Sequence, residues 1–145
     1  GRFDEFLAGD DTALTEREKA GLALFMGTGC IGCHNGPALG GNSYAALGSL
    51  EPYTTNDLGR YVVTGNEAEK FVFKVPSLRN VAVTGPYLHD GSIPTMESMV
   101  QLMVRHQLGR ELTNEEVDTM VVFLRSLTGE LPSDYTAEPQ LPLND

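Results

Sequence analysis

Tryptophan is absent from this 145-residue chain, cysteine occurs twice, histidine three times, and ten basic side chains face twenty acidic ones. That scarcity of positive charge, a formal net of −10, argues against a nucleic-acid-binding role, because a phosphate backbone needs a positive footprint. No apolar run comes near the roughly 20 residues a transmembrane helix requires, so no membrane span is expected. Neither an internal duplication nor a βαβ repeat is evident, which leaves out repeat arrays and parallel α/β sheets. A signal peptide and an initiating methionine are also lacking; the chain opens on Gly1-Arg2, as a processed or excised fragment would.

What is abundant is glycine, 16 residues, together with eight prolines. Such a chain is rich in loops, as expected where backbone must pass close to a flat cofactor. An apolar fraction of 41% supplies a modest core. Length predicts one domain over residues 15–131, with an arm or former inter-domain linker at 1–14 and an extended tail at 132–145.

Both cysteines fall in Cys30-Ile31-Gly32-Cys33-His34. Cys-x-x-Cys-His is the attachment signature of a c-type haem. One turn of chain sets both sulfurs along one edge of the macrocycle, where they add across the vinyl groups, and the adjacent histidine supplies an axial nitrogen. A thioredoxin-like pair would sit at a helix start after a buried strand, whereas Gly27, Gly29 and Gly32 crowd this motif. A closed zinc site usually takes about four ligands, and the next histidine after His34 is His89. Covalent haem is the reading adopted. It is normally attached outside the cytoplasm, which predicts a periplasmic protein. An acidic surface around an exposed redox centre suits a small, basic redox protein as partner, although ordinary solubility would give the same charge.

Local signals predict three good helices. Thr15-Glu16-Arg17-Glu18 is a capping box opening a helix to about Met26, in which Gly21 permits a close crossing and Gly27 and Gly29 bring the end. Thr95 and Glu97 open a second helix through Met96, Met99, Val100 and Met103 to Gly109. Thr113-Asn114-Glu115-Glu116 opens the third, whose apolar stripe is Val117, Met120, Val121, Leu124 and Leu127. A short helix is also expected from Val75 to Val81, with Pro76 at its first position. Tyr61-Val62-Val63 and Phe71-Val72-Phe73 predict at most a small hairpin or extended segments. The fold class is all-α: helices around one haem with long irregular loops, Gly21 and Phe25 crossing Met120 and Leu124. Residues 1–14 would fray if they were a free terminus.

Haem iron held by one histidine needs a second ligand for pure electron transfer, or an open face for catalysis. Met96, Met99, Met103, His89 and His106 are the candidates, and spacing does not choose among them, since methionine on a helix is commonly core. On the proximal side the Pro37 carbonyl is expected to accept from His34 Nδ1, fixing the tautomer and leaving Nε2 for iron. Arg60, Lys74 and Arg79 are candidates to pair with haem propionates, with Arg79 favoured by its apolar flanks.

Longer motifs extend beyond the haem signature. They include Arg2-Phe3-Asp4, Gly21-Leu22-Ala23-Leu24-Phe25, the run from Cys30 to Gly41, and Asp57-Leu58-Gly59-Arg60-Tyr61. Further along come the runs Phe73 to Val81, Pro86 to Ser92 and Phe123 to Gly129. Together they resemble the C-terminal, high-potential haem domain of bacterial di-haem cytochrome c peroxidases and MauG-like proteins, over nearly the whole chain. The resemblance implies a cytochrome c-like fold and an electron-transferring haem with His34 proximal. It places the distal methionine at Met103, in the helix after Tyr87-Leu88-His89-Asp90-Gly91, and matches His89 to a loop histidine near the haem edge that is not the usual ligand. It also implies calcium at a domain interface, held through the backbone of Thr84 and Pro86 with an asparagine from the other domain. In that family peroxide is reduced at a second haem, in an N-terminal domain with its own Cys-x-x-Cys-His and a catalytic glutamate. This sequence has neither a second Cys-x-x-Cys-His nor room for that domain. The expected function is therefore one-electron transfer, working with a small redox protein and a peroxidatic haem domain. The alternative is peroxide reduction, which at an open haem would need His89 or Glu97 as acid–base.

Overall fold

The computed structural model describes residues 1–130, so the tail predicted at 132–145 lies outside them. Five helices carry most of the order: α1 Arg2–Leu7, α2 Glu16–Thr28, α3 Tyr61–Thr64, α4 Met96–Leu108 and α5 Asn114–Ser126. A two-stranded sheet, β1 Tyr44–Ala46 against β2 Val72–Lys74, makes the fold predominantly rather than wholly helical. Among the described residues no helix is long and apolar enough to cross a membrane.

Both capping boxes form. Thr15 Oγ1 accepts from the Glu18 amide at 3.3 Å while Glu18 accepts from the Thr15 amide at 2.8 Å, and Thr113 with Glu116 repeats the pattern at the head of α5. These bonds satisfy amides that a helix start leaves unpaired. The apolar stripe of α5 then packs on α2 at Gly21. A β-carbon there would stand 2.4 Å from the Thr119 carbonyl oxygen and 2.6 Å from Phe123 Cβ, so only glycine permits this approach. Thr119 and Phe123 therefore oppose Gly21, one position round from the expected Met120 and Leu124, which remain buried in the same core. Phe123 is fully buried and holds Phe25 and Phe3 at ring separations of 5.5 and 5.6 Å.

Three expectations are corrected. Residues 1–14 do not fray: Phe3 is buried against Phe123, Leu14 is buried too, and Arg2 grips the buried Glu18 carboxylate with two bonds, one of 3.0 Å. The second strand of the sheet is not Tyr61–Val63, which coils into α3 with Val62 and Val63 facing out; Tyr44–Ala46 pairs with β2 instead. Residues 75–80 are not helical, because their hydrogen bonds go to the loop behind His34. Gly41 N–H donates to Val75 O at 2.9 Å, Leu78 N–H to Leu39 O at 3.2 Å, and Ser77 Oγ to Ala38 O at 2.7 Å. Asn80 is left-handed at φ 60°, so only a single turn, Val81–Val83, follows.

Candidate functional site

The end of α2 delivers the cysteines. Gly29 turns left-handed at φ 108°, and Cys30–Gly32 makes one tight turn closed by Cys33 N–H to Cys30 O at 3.2 Å and His34 N–H to the same oxygen at 2.9 Å. Both thiols are free; Cys33 is exposed, while Cys30 is half-buried and its burial pushes the thiol up to about 11. The His34 ring is largely enclosed. Burial holds its pKa below the ordinary imidazole value, against the opposing pull of the Leu39 and Pro76 carbonyls, so the ring is neutral near pH 7.

The proximal hydrogen bond differs from expectation. His34 Nδ1 lies 3.3 Å from the Leu39 carbonyl, whereas the Pro37 carbonyl accepts from Arg79 Nε at 3.0 Å. The cause is local backbone. Gly36 and Leu39 are both left-handed, at φ 72° and 49°, so the chain doubles back and carries Leu39 rather than Pro37 to the ring. Gly40 completes the cradle: at φ 122°, a β-carbon there would sit 2.2 Å from Pro76 O and 3.2 Å from His34 Nδ1. With Nδ1 turned to backbone, Nε2 is the nitrogen left to coordinate.

The cationic candidates are mostly engaged. Arg79 Nη2 meets Asp4 Oδ1 at 2.8 Å and the guanidinium lies 5.3 Å over the Phe3 ring. Arg60 pairs with Glu69 at 3.0 Å and covers Tyr44, while Lys74 is exposed at the end of β2. Among the five distal candidates, Met96 is 7% exposed, in the core with Val100 and Val104. Met99 and Met103 lie one turn apart on α4 and are only half-buried. His106 Nδ1 is 2.9 Å from Glu51 O with its ring edge-on to Tyr53, and His89 Nδ1 is 2.6 Å from Asp57 Oδ2 beside Phe73. The His89 bond, helped by the Gly59 amide, holds the Asp57 carboxyl below the usual range.

Sequence reasoning missed Leu39, Ser77, Asp57 and Gln107. Gln107 accepts from the amides of Gly48 and Ser49 at 2.8 and 2.9 Å and donates to Ala46 O at 3.0 Å, fixing α4 to the end of β1. The partners of Gln107 lie 58 to 61 positions away, so no local pattern announces them.

Of zinc, calcium and haem, the donor set suits one. Among the described residues no three His, Cys, Asp or Glu side chains converge on a metal site, so Cys30, Cys33 and His34 find no further ligand for closed zinc. Calcium takes about six to eight oxygens, of which the backbone of Thr84 and Pro86 would supply two. Two free thiols on one turn, followed directly by a neutral imidazole whose Nδ1 is anchored, fit a thioether-bonded haem.

No family model matches the chain. It is 51% identical over 133 residues to the cytochrome c551 peroxidase of Nitrosomonas europaea, covering 90% of this chain and 40% of that protein. It is 47% identical over 132 residues to the cytochrome c peroxidase Ccp of Escherichia coli K12, covering 88% of this chain and 28% of that protein. The crystal structure of a MauG-like protein associated with microbial copper homeostasis superposes with a TM-score of 0.72 at 27% identity, over 89% of this chain and 51% of the other. The chain thus spans less than half the length of these two curated relatives.

Proposed function

Because the chain belongs, over the stretch it shares with those relatives, to the di-haem cytochrome c peroxidase and MauG-like family, we propose that it is a one-electron-transfer domain built around a single c-type haem. It corresponds to the C-terminal, high-potential haem domain of its relatives, with the cytochrome c-like domain over residues 15–131. The observation that carries this reading is the turn at Cys30–Gly32, which presents two free thiols and a histidine held by Leu39 O.

A c-type haem bound here supplies a one-electron iron couple, whose potential a His–Met axial pair raises relative to bis-His. Cys30 and Cys33 would hold the haem through thioethers. His34, oriented by its Nδ1 contact with Leu39 O, would offer Nε2 to the iron. Met103, half-buried on α4, would supply the second ligand and so keep water and peroxide from the iron; the resemblance favours it over Met99, and packing leaves both available. A small redox protein delivers or accepts the electron at the exposed side of Cys33, in a periplasm. A peroxidatic haem domain is the second partner, and it would also bring the oxygens that calcium at Thr84 and Pro86 requires.

Peroxide reduction at this haem is the competing reading, since both curated relatives are peroxidases by name. It would need an acid–base over the open face. His89 is bonded to Asp57, and Glu97 faces Arg125 at 3.5 Å, which supports the carrier instead. Replacing Met103→Ala is expected to turn the iron high-spin in at least one oxidation state and to lower its potential, read by absorption and redox titration. An unchanged spectrum and potential would refute Met103. Rapid peroxide-driven oxidation of a donor by this chain alone would refute the carrier.

A further inference from the structure

Four hydrogen bonds hold residues 37–41, behind His34, against residues 75–79: Arg79 Nε to Pro37 O, Ser77 Oγ to Ala38 O, Leu78 N–H to Leu39 O and Gly41 N–H to Val75 O. Arg79 is the member of this set that also reaches the first helix, through Asp4 at 2.8 Å and the face of Phe3 at 5.3 Å. At the other end, the Leu39 carbonyl accepts from both Leu78 N–H, at 3.2 Å, and His34 Nδ1, at 3.3 Å. The next residue, Asn80, is clamped to the end of α5, its amide on Leu127 O at 3.1 Å and its Oδ1 taking Gly129 N–H at 2.7 Å.

We propose that Arg79 is a positioning residue for the proximal ligand: it carries the docking of α1, through the Pro37–Leu39 carbonyls, to the His34 ring. Asn80 fixes the backbone of Arg79 to the scaffold, so the loop behind the imidazole follows Arg79 and not the reverse. Arginine suits the task because its planar fork sends Nε to the carbonyl and Nη2 to the carboxylate at once, whereas a lysine ammonium is a point charge and cannot span both. The consequence lies at the ring. An Nδ1–H bond to a carbonyl sets the tautomer and the basicity of a metal-bound imidazole, so moving Leu39 O changes what His34 offers iron. Arg79 thus serves the loop rather than a propionate. The inference rests on His34 being the axial ligand.

Hydrogen exchange in the holoprotein tests it, with the His34 ring N–H followed by NMR in the reduced state and the peptides spanning 35–41 and 75–79 followed by mass spectrometry. Arg79→Gln is expected to speed exchange at the ring and in both peptides by about tenfold, the scale of one lost hydrogen bond. Asp4→Asn, an exposed change that leaves the core untouched, is expected to speed it by about threefold, the scale of a surface ion pair. Arg79→Lys keeps the charge and is expected to fall between them. Peptides covering Val121 and Phe123 stay unchanged. The proposal is overturned if Arg79→Gln leaves the 35–41 peptide protected, if Asp4→Asn has no effect there, or if the α5 peptides speed up equally, which would make Arg79 a general stabiliser. Failure of the carrier reading would show separately, as a high-spin spectrum of the unaltered protein, and would not change the ranking of the variants by mass spectrometry.

Discussion

The α2–α5 pair and the loop layer between Cys30 and Thr95 are held by different physics. The helix pair is ordered by local rules: two capping boxes, a glycine at the crossing and an apolar stripe that buries Val117, Met120, Val121 and Leu124. The loop layer contains the described left-handed non-glycine residues, Leu39, Phe71, Asn80 and Leu88, and is tied by small sets of polar contacts between stretches far apart in the chain. Damage to the first should therefore spread through the whole domain. Damage to the second should stay near the haem.

Breaking the helix pair should have the largest effect. Phe123→Ala removes the ring on which Phe3 and Phe25 pack, and is expected to cost about 4 kcal/mol in denaturant unfolding, with the loops lost in the same transition. In the loop layer, Gly40→Ala forces a side chain into the carbonyl of Pro76 at positive φ. A cost of about 2–3 kcal/mol and a fall in the yield of haem-bearing protein are expected. The same change at Gly27, near the exposed end of α2 with open space around it, should instead stabilise by up to about 1 kcal/mol. A result in which Gly27 and Gly40 respond alike would erase the distinction between the regions.

The ion pair that fastens α1 to the scaffold sharpens the comparison through pH. Burial pushes the Glu18 carboxyl up, but the bonds from Arg2 and Thr15 outweigh it and hold the group below the ordinary carboxylate range. A group depressed on folding stabilises the protein above its unfolded pKa, and that contribution disappears as pH falls through the folded value. Glu18→Gln should therefore lower stability near pH 7 by about 2 kcal/mol and flatten the loss between neutral and acid, as followed by thermal melts at several pH values. The smallest effect belongs to the exposed clasp between loops. Asp57→Asn should cost about 0.5 kcal/mol and leave the unfolding of the helices unchanged.

How much of this the sequence announces follows the same division. Thr15 with Glu18, Thr113 with Glu116, and Gly21 are readable because cap and crossing signals lie within a few residues of what they organise. The turn that brings Cys30, Cys33 and His34 together is readable because the three residues are nearly contiguous. The choice of Leu39 over Pro37 was not, since it depends on a left-handed leucine that no turn rule predicts. Nor was the employment of Arg79, whose partners Asp4 and Pro37 are 75 and 42 positions away. Apolar flanks favour Arg79 for a haem propionate and say nothing of Asp4 or the Pro37 carbonyl, which it meets here. Residues 1–14 look like an arm because their few apolar positions are scattered, and only the position of Phe123 shows what Phe3 packs on.

The ferric absorption spectrum, recorded for the protein and for Met103→Ala, tests the haem and its two axial ligands together. A low-spin spectrum with the weak far-red band of a sulfur–iron bond, lost in the variant, is the result expected. A spectrum without haem, or a far-red band that survives the substitution, would contradict it.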